Sequence, residues 1–269
     1  MAPIPSTNAL TRALHALVAL VCLLWALAGC GSAPAGAGDL ARDKEILKTC
    51  PKDKGLASKV DLDVSGSGRT PELDAARLDI IKQNARLTAI CGGHLLVTVF
   101  SATSAATVAL YDGELKLDGA TDNARLRRVS KLVDDISTKV TEAYPPAIKK
   151  VSPAHSDITA QFRLAAEYRN QLGTAYRLRL VILTDGLQTV GKGVTKPIAM
   201  GEARKIGATV LVPRLPDASV TVAGIGKVAS GSAPSSALTN ALIGFWDGVC
   251  HKTGAASCTT VTDYAATGR

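Results

Sequence analysis

The run Asp63-Val64-Ser65-Gly66-Ser67 places one carboxylate and two hydroxyls on alternate residues. All three are hard oxygen donors, a set that suits Mg²⁺, Mn²⁺ or Ca²⁺ and not zinc or copper. Another carboxylate stands in Thr184-Asp185-Gly186, directly after the apolar run Leu178 to Leu183. In Ser156-Asp157-Ile158, Ser156 has the type and place of a helix N-cap, which by itself would explain it structurally. Two further constellations point toward enzymes and fall short. Gly224-Ile225-Gly226-Lys227-Val228-Ala229 fits a Gly-x-Gly-x-x-Ala turn, but gripping a pyrophosphate takes a helix N-terminus immediately afterwards. Ser230-Gly231-Ser232-Ala233-Pro234 predicts loop there instead. His155 beside Ser156 offers a base next to a hydroxyl, yet adjacent side chains seldom face each other, and Gly66-Ser67-Gly68 is not a Gly-x-Ser-x-Gly elbow. His94 and His251 fall at expected element ends. The expectation is a binding protein and not an enzyme.

Strands and helices that alternate along the chain would carry these motifs. Val60 to Asp63 is a strand running into the first motif, and Thr70-Pro71 is a helix start with Thr as cap and Pro in the first turn. Leu73, Ala76, Ile80, Leu87 and Ile90 then predict one apolar helical face. Leu95 to Ser101 and Ala106 to Tyr111 read as strands, with Asp112-Gly113 a turn before Glu114 to Leu117. Leu126, Val129, Val133, Ile136 and Val140 step by three and four, and Pro145-Pro146 should end that helix. Helices are further expected over Asp157 to Leu172, Pro197 to Ile206 and Leu238 to Val249, and strands at Leu178 to Leu183, Val210 to Val212 and Val220 to Ala223. This alternation predicts an α/β fold, a doubly wound, mostly parallel central sheet with helices on both faces. In strand order 3-2-1-4-5-6 the first and fourth strands are neighbours, so the Asp63 and Asp185 turns would meet over one crevice.

With those residues in that order, the segment 58–250 resembles the von Willebrand factor A domain family. Asp63, Ser65 and Ser67 stand as its Asp-x-Ser-x-Ser signature, Thr184-Asp185-Gly186 as its strand-final motif, and His155-Ser156-Asp157-Ile158 as its middle loop. Val220 to Gly226 is similar to its next core strand. The resemblance implies a metal-ion-dependent adhesion site in which Ser65, Ser67 and Ser156 bind a divalent cation, while Asp63 and Asp185 contribute carboxylates, often through water. One coordination position stays open for a carboxylate from a protein partner. Departures are Ser156 where Thr is usual, Ala154-His155 in place of glycines, and Gly68-Arg69 after Ser67 where an apolar residue is common. Thr159 is a second candidate for the middle-loop hydroxyl. A metal-free crevice in a structural surface lipoprotein is the alternative.

Arg12 is the sole charge among the first 38 residues, ahead of an apolar run, Ala13 to Ala28, too short to span a bilayer. Leu27-Ala28-Gly29-Cys30 resembles a bacterial lipobox, which implies a signal peptide over 1–29, acylation of Cys30, and a chain anchored to the cell membrane on its extracytoplasmic face. Residues 30–57 then form the lipidated Cys, a tether and an N-terminal extension, and 251–269 a C-terminal tail. Cys22 lies in the signal. The four remaining cysteines, Cys50, Cys91, Cys250 and Cys258, match no zinc spacing and suit two disulfides in an oxidising compartment. Their number leaves three connectivities open. The layout points to Cys50 with Cys91, because a crossover helix returns to the starting edge of its strand, and to Cys250 with Cys258 locally, both away from the motifs. The net charge of +8 comes from 31 basic and 23 acidic residues scattered along the chain, and aromatics are only 4%. No stripe suited to stacking bases exists, so nucleic acid is not an expected partner.

Overall fold

The computed structural model describes residues 37–66, 70–102, 107–152, 154–228 and 233–264. The expected leader, Cys30, the tether through residue 36, and Ser67-Gly68-Arg69 lie outside them. Two compact units divide the chain, Met1–Ala41 and Arg42–Arg269, and the sheet belongs to the second. Among the described residues no helix is long and apolar enough to cross a membrane.

A helix that the sequence pattern did not announce, α1 (Ala37–Thr49), comes first. Its Asp43 carboxylate is buried and takes two hydrogen bonds from Arg86, from Nε at 2.6 Å and Nη2 at 2.9 Å. There follow β1 (Gly55–Asp63), α2 (Pro71–Cys91), β2 (Gly93–Phe100), β3 (Val108–Leu115), α3 (Asp122–Leu126), α4 (Val129–Ile148), α5 (Ile158–Leu172), β4 (Tyr176–Leu183), α6 (Met200–Gly207), β5 (Ser219–Ala223), α7 (Ser236–Thr253) and β6 (Ser257–Val261). The sheet order is β3-β2-β1-β4-β5-β6, parallel throughout except for β3 against β2. This is the expected doubly wound α/β class and strand order.

Alternation along the central strands divides the core in two. Leu56, Val60 and Leu62 face α2 and α4, with Ser58 hydrogen-bonded to Thr88 of α2. Ala57, Leu178, Leu180, Ile182, Val220 and Val222 face α5 and α7 and pack on Phe162, Phe245 and Trp246. α6 lies on α7 at backbone contact distance, because a Cβ at Gly207 would meet Phe245 O at 2.1 Å and one at Gly248 would meet Arg204 O at 2.1 Å. Both disulfides form as the layout suggested, Cys50–Cys91 and Cys250–Cys258, at the edge where the parallel strands begin.

Several expectations fail locally. Asp112-Gly113 is no turn, and β3 runs straight through it, because β2 supplies ladder partners as far as Leu115 and the outer side of this edge strand is solvated. α4 does not stop at Pro145-Pro146 but reaches Ile148. Both prolines lie on the solvent side, where water can satisfy the carbonyls of Thr141 and Glu142, while Ala147 stays buried. Val210 to Val212 is not a strand: Pro213 follows it, no strand lies alongside, and Leu211 is 95% exposed. α2 buries Arg77, Ile80, Ile81, Asn84 and Thr88 rather than centring on Leu73, Ala76 and Leu87. Its inner face is partly polar because Asn84 Oδ1 accepts from Arg179 Nε of β4 at 2.9 Å. β6, placed in the C-terminal tail by the sequence pattern, extends the sheet beside β5.

Candidate functional site

The crevice sits where β1 and β4 end side by side. Their register pairs Leu62 with Leu183, which brings Asp63 beside Thr184. The Asp63 carboxylate is buried and gathers three segments. Oδ1 accepts from the Ser65 backbone N–H at 3.0 Å; Oδ2 accepts from Ser156 Oγ and from Thr184 Oγ1, each at 2.7 Å. Bonds of a hydroxyl to an ionised carboxylate are among the stronger ones in proteins. Ser65, Ser156, Thr184 and Asp185 are buried with it.

Ser156 is therefore not the cap of α5. That place belongs to Asp157, whose Oδ1 accepts from the Ala160 N–H at 3.1 Å. Thr159 Oγ1 donates to the same Asp157 oxygen at 2.9 Å and takes a bond from Gln188 Nε2 at 3.0 Å, so it serves the cap while Ser156 reaches Asp63. The turn carrying Ser156 is held by the loop after β4. Thr189 Oγ1 accepts from Ser156 N–H at 2.7 Å, and Ser156 O accepts from the N–H groups of Thr189 at 3.1 Å and Val190 at 3.2 Å. Gln188 Oε1 accepts from Ile158 N–H at 2.8 Å.

Asp185 stands one residue beyond Thr184. Its Oδ1 accepts from Leu187 N–H at 2.9 Å, and its backbone O accepts from Gly226 N–H at 2.8 Å, tying the β4 and β5 loops together. The turn needs glycine at 186, where φ is 84° and an added Cβ would meet Trp246 Nε1 at 3.2 Å. Gly186 O accepts from that indole N–H at 2.9 Å. Ser67 lies outside the described residues, so Asp63, Ser65, Ser156 and Asp185 are the expected site residues that can be placed. Thr184, Gln188, Thr189 and Arg77 join them without having been singled out as site residues. Thr184 carried a signal as the first residue of its motif; the other three carried none.

Charge around the crevice is uneven. One turn of strand below Asp63, Lys59 and Asp61 form a buried ion pair that Thr98 Oγ1 joins at 2.6 Å from Asp61 Oδ1. Burial pushes the Lys59 ammonium below its usual range, with Asp61 opposing the shift. That pair neutralises itself, whereas Asp63 receives its described bonds from neutral donors. Arg77 of α2 is fully buried nearby, and its guanidinium stays charged: burial works against it, but the Tyr264 hydroxyl, Asp63 and Tyr144 together raise its pKa. His155 is exposed.

The donor set fits a hard dication. Two buried carboxylates carry charge that water does not reach, and Ser156, having spent its proton on Asp63, presents oxygen lone pairs. Asp63, Ser65, Ser156 and Asp185 are the described residues that could hold it. Among the described residues no three His, Cys, Asp or Glu side chains gather, so the set is rich in hydroxyls and not of the zinc type. A separate cavity of about 200 Å³, lined by Leu62, Leu78, Ile81, Val140 and Tyr144 among others, lies on the α2 and α4 side of β1 and is apolar.

No family model and no curated protein sequence matches the chain. Solved structures that are similar include proximal thread matrix protein 1 from the mussel byssus, at 13% identity and TM-score 0.40, covering 81% of this chain and 46% of that one. The pilus adhesin SpaC of Lactobacillus rhamnosus GG in its open conformation matches at 11% identity and TM-score 0.42, over 81% of this chain and 29% of its own. Manganese-loaded TRAP protein of Plasmodium vivax matches at 14% identity and TM-score 0.35, over 71% of this chain and 63% of its own. This chain thus spans less than two thirds of each of these proteins.

Proposed function

We propose that the chain is an exported lipoprotein, anchored through acylated Cys30 on the extracytoplasmic face of the cell membrane, whose von Willebrand factor A-like domain binds a divalent cation and through it a protein partner. The observation that carries the reading is the convergence on Asp63. Ser65, Ser156 and Thr184, on three segments far apart in sequence, spend amide or hydroxyl protons on one buried carboxylate, which leaves Ser156 Oγ with lone pairs to offer. Mg²⁺ is the expected ion, with Mn²⁺ or Ca²⁺ as substitutes, because six near-octahedral oxygens with retained waters suit a site of two carboxylates and several hydroxyls. Asp63, Ser65, Ser67, Ser156 and Asp185 would hold it. Two carboxylates leave the dication near neutral, so a partner's carboxylate can take the remaining position. Two disulfides accord with an oxidising compartment.

The alternative, a metal-free crevice in a structural surface lipoprotein, draws on Arg77, a fully buried cation of α2 whose charge Asp63 helps to hold. The test is retention of the protein on immobilised acidic peptides at about 0.15 M salt, where long-range attraction by its net positive charge is screened. Retention in Mg²⁺ that disappears in EDTA, and is absent in Asp63→Ala and Asp185→Ala, is expected. Retention that persists in EDTA, or in either variant, contradicts the proposal.

A further inference from the structure

The edge where the parallel strands begin, opposite the crevice, carries cations without acidic partners. Lys52 and Lys54 precede β1, Arg177 is the second residue of β4, and Arg169 and Lys252 stand in the last turns of α5 and α7. Arg214 lies against the end of α7, its Nη1 donating to Lys252 O at 3.4 Å. The segments meet there: Gly55 N–H donates to Ala175 O at 3.0 Å, Leu215 N–H to Thr253 O at 2.8 Å, and Arg169 Nη1 to Pro216 O at 3.4 Å. None of these six cations pairs with a carboxylate among the described residues, and the acids in the same segments are Asp53 and Asp217. The same edge presents Leu211, which is 95% exposed. α6 runs along α7 with Met200 beside Gly244 and Arg204 beside Gly248, so the loop after α6 reaches the end of α7 before Leu215 bonds to Thr253. A leucine left wholly in water adds nothing to the fold, and an exposed apolar side chain among cations suits a surface that meets lipid.

We propose that this edge docks on a bilayer of anionic phospholipid, with Leu211 entering the acyl boundary and the six cations facing headgroup phosphates. That a membrane lies beside the domain rests on the anchor reading above; the lipid affinity of the edge does not. The chain enters the domain at this edge, because Cys50–Cys91 fastens the segment before β1 to the end of α2, and the proposed anchor at Cys30 stands only 20 residues earlier. An acyl anchor supplies one attraction and a basic surface a second, and the two together make membrane binding stable. Docked this way, the nine residues of β1, at about 3.3 Å each, hold the Asp63 crevice about 30 Å from the headgroups and open to a partner outside.

The test uses the full chain on vesicles of phosphatidylcholine, alone or mixed with phosphatidylglycerol. An environment-sensitive dye is placed on Leu211→Cys and, as control, on Ala237→Cys, an exposed position in the first turn of α7 at the crevice end. The dye at 211 should shift to the blue on anionic vesicles and far less on neutral ones, while the dye at 237 stays unchanged on both. Arg214→Glu combined with Lys252→Glu should lower the ratio of docked to undocked chain on anionic vesicles at least about tenfold, since each cation near such a surface counts for roughly a factor of five. Both cations are exposed, so the melts of the variants should match wild type; should Arg214→Glu disturb its loop, Lys52→Glu with Arg177→Glu carries the same readout. No shift at 211 on anionic vesicles, an equal shift at 237, or a ratio unchanged by the charge reversals would overturn the proposal, and an edge that serves a protein partner instead gives the first of these. A chain that fails to sediment with neutral vesicles removes the anchor reading alone, and the dye at 211 on anionic vesicles still decides the docking.

Discussion

Thr184→Val removes one hydroxyl from the crevice and leaves its shape nearly unchanged. Two bonds are lost. Thr184 Oγ1 no longer donates to Asp63 Oδ2, a 2.7 Å bond to a buried carboxylate worth about 1.5–3 kcal/mol. Gly186 N–H, which lies 3.1 Å from the same oxygen, loses its acceptor, and a buried donor left unpaired costs about 1–3 kcal/mol. The sum is about 4 kcal/mol. At roughly 2–4 °C per kcal/mol for a domain of this size, the melting temperature should fall by about 10 °C. Circular dichroism melts in EDTA at neutral pH measure this without any contribution from bound metal. Thr184→Ser, which keeps the hydroxyl and loses one buried methyl, should cost only about 1 kcal/mol. A Val variant melting within about 2 °C of wild type, or a Ser variant as weak as the Val variant, would refute the claim that this hydroxyl secures Asp63.

The remaining expectations concern what holds the crevice in place. Cys50–Cys91 closes a loop of 41 residues and Cys250–Cys258 one of 8, so chain entropy predicts losses of about 4 and about 2.5 kcal/mol for the paired Cys→Ser variants; urea unfolding showing the reverse order would contradict that account. Lys59→Met alone should cost about 3–5 kcal/mol by stranding Asp61, whereas Lys59→Met with Asp61→Leu should regain most of it; a double variant as weak as the single one would contradict this. Because burial lowers the Lys59 pKa below 10.5, the unfolded chain binds the extra proton in that window. Wild type should gain stability relative to the double variant as pH rises toward 10.5, and a relative loss there would contradict the sign. Gly248→Ala places a methyl 2.1 Å from Arg204 O and should force α6 from α7 at a cost of about 3 kcal/mol; an unchanged urea midpoint would show that the helices are not held that close.

What could be seen in the sequence follows from which signals are local. Thr70-Pro71 cap the start of α2, and Thr70 Oγ1 does accept from Leu73 N–H at 3.2 Å, because capping needs only residues within one turn. The apolar runs ending at Asp63 and Leu183 mark central strands buried on both faces, and chain alternation then leaves few sheet orders to choose among. Ser156 misleads because a cap and a site residue both call for a hydroxyl just before a helix; the choice was made by Asp157, which caps α5 and frees its neighbour. Arg77 could not be recognised, since an arginine within a helical pattern reads as a solvated charge until the fold buries it. Gln188 and Thr189 act on Ser156 and Ile158 from 30 to 33 residues away, a relation without any sequence signature. β6 went unseen because Ser257 to Val261 alternates poorly and is defined by its pairing with β5.

The most direct measurement is a thermal melt of the purified protein in EDTA and then with Mg²⁺, Mn²⁺ or Ca²⁺ added, with Asp63→Ala as the control. An ion that binds only the folded chain must stabilise it, by about 2.7 kcal/mol at a concentration one hundred times its dissociation constant. A cation-dependent rise of several degrees is expected in wild type and not in Asp63→Ala. No rise with any of the three cations, or an equal rise in the variant, would contradict the cation site at Asp63.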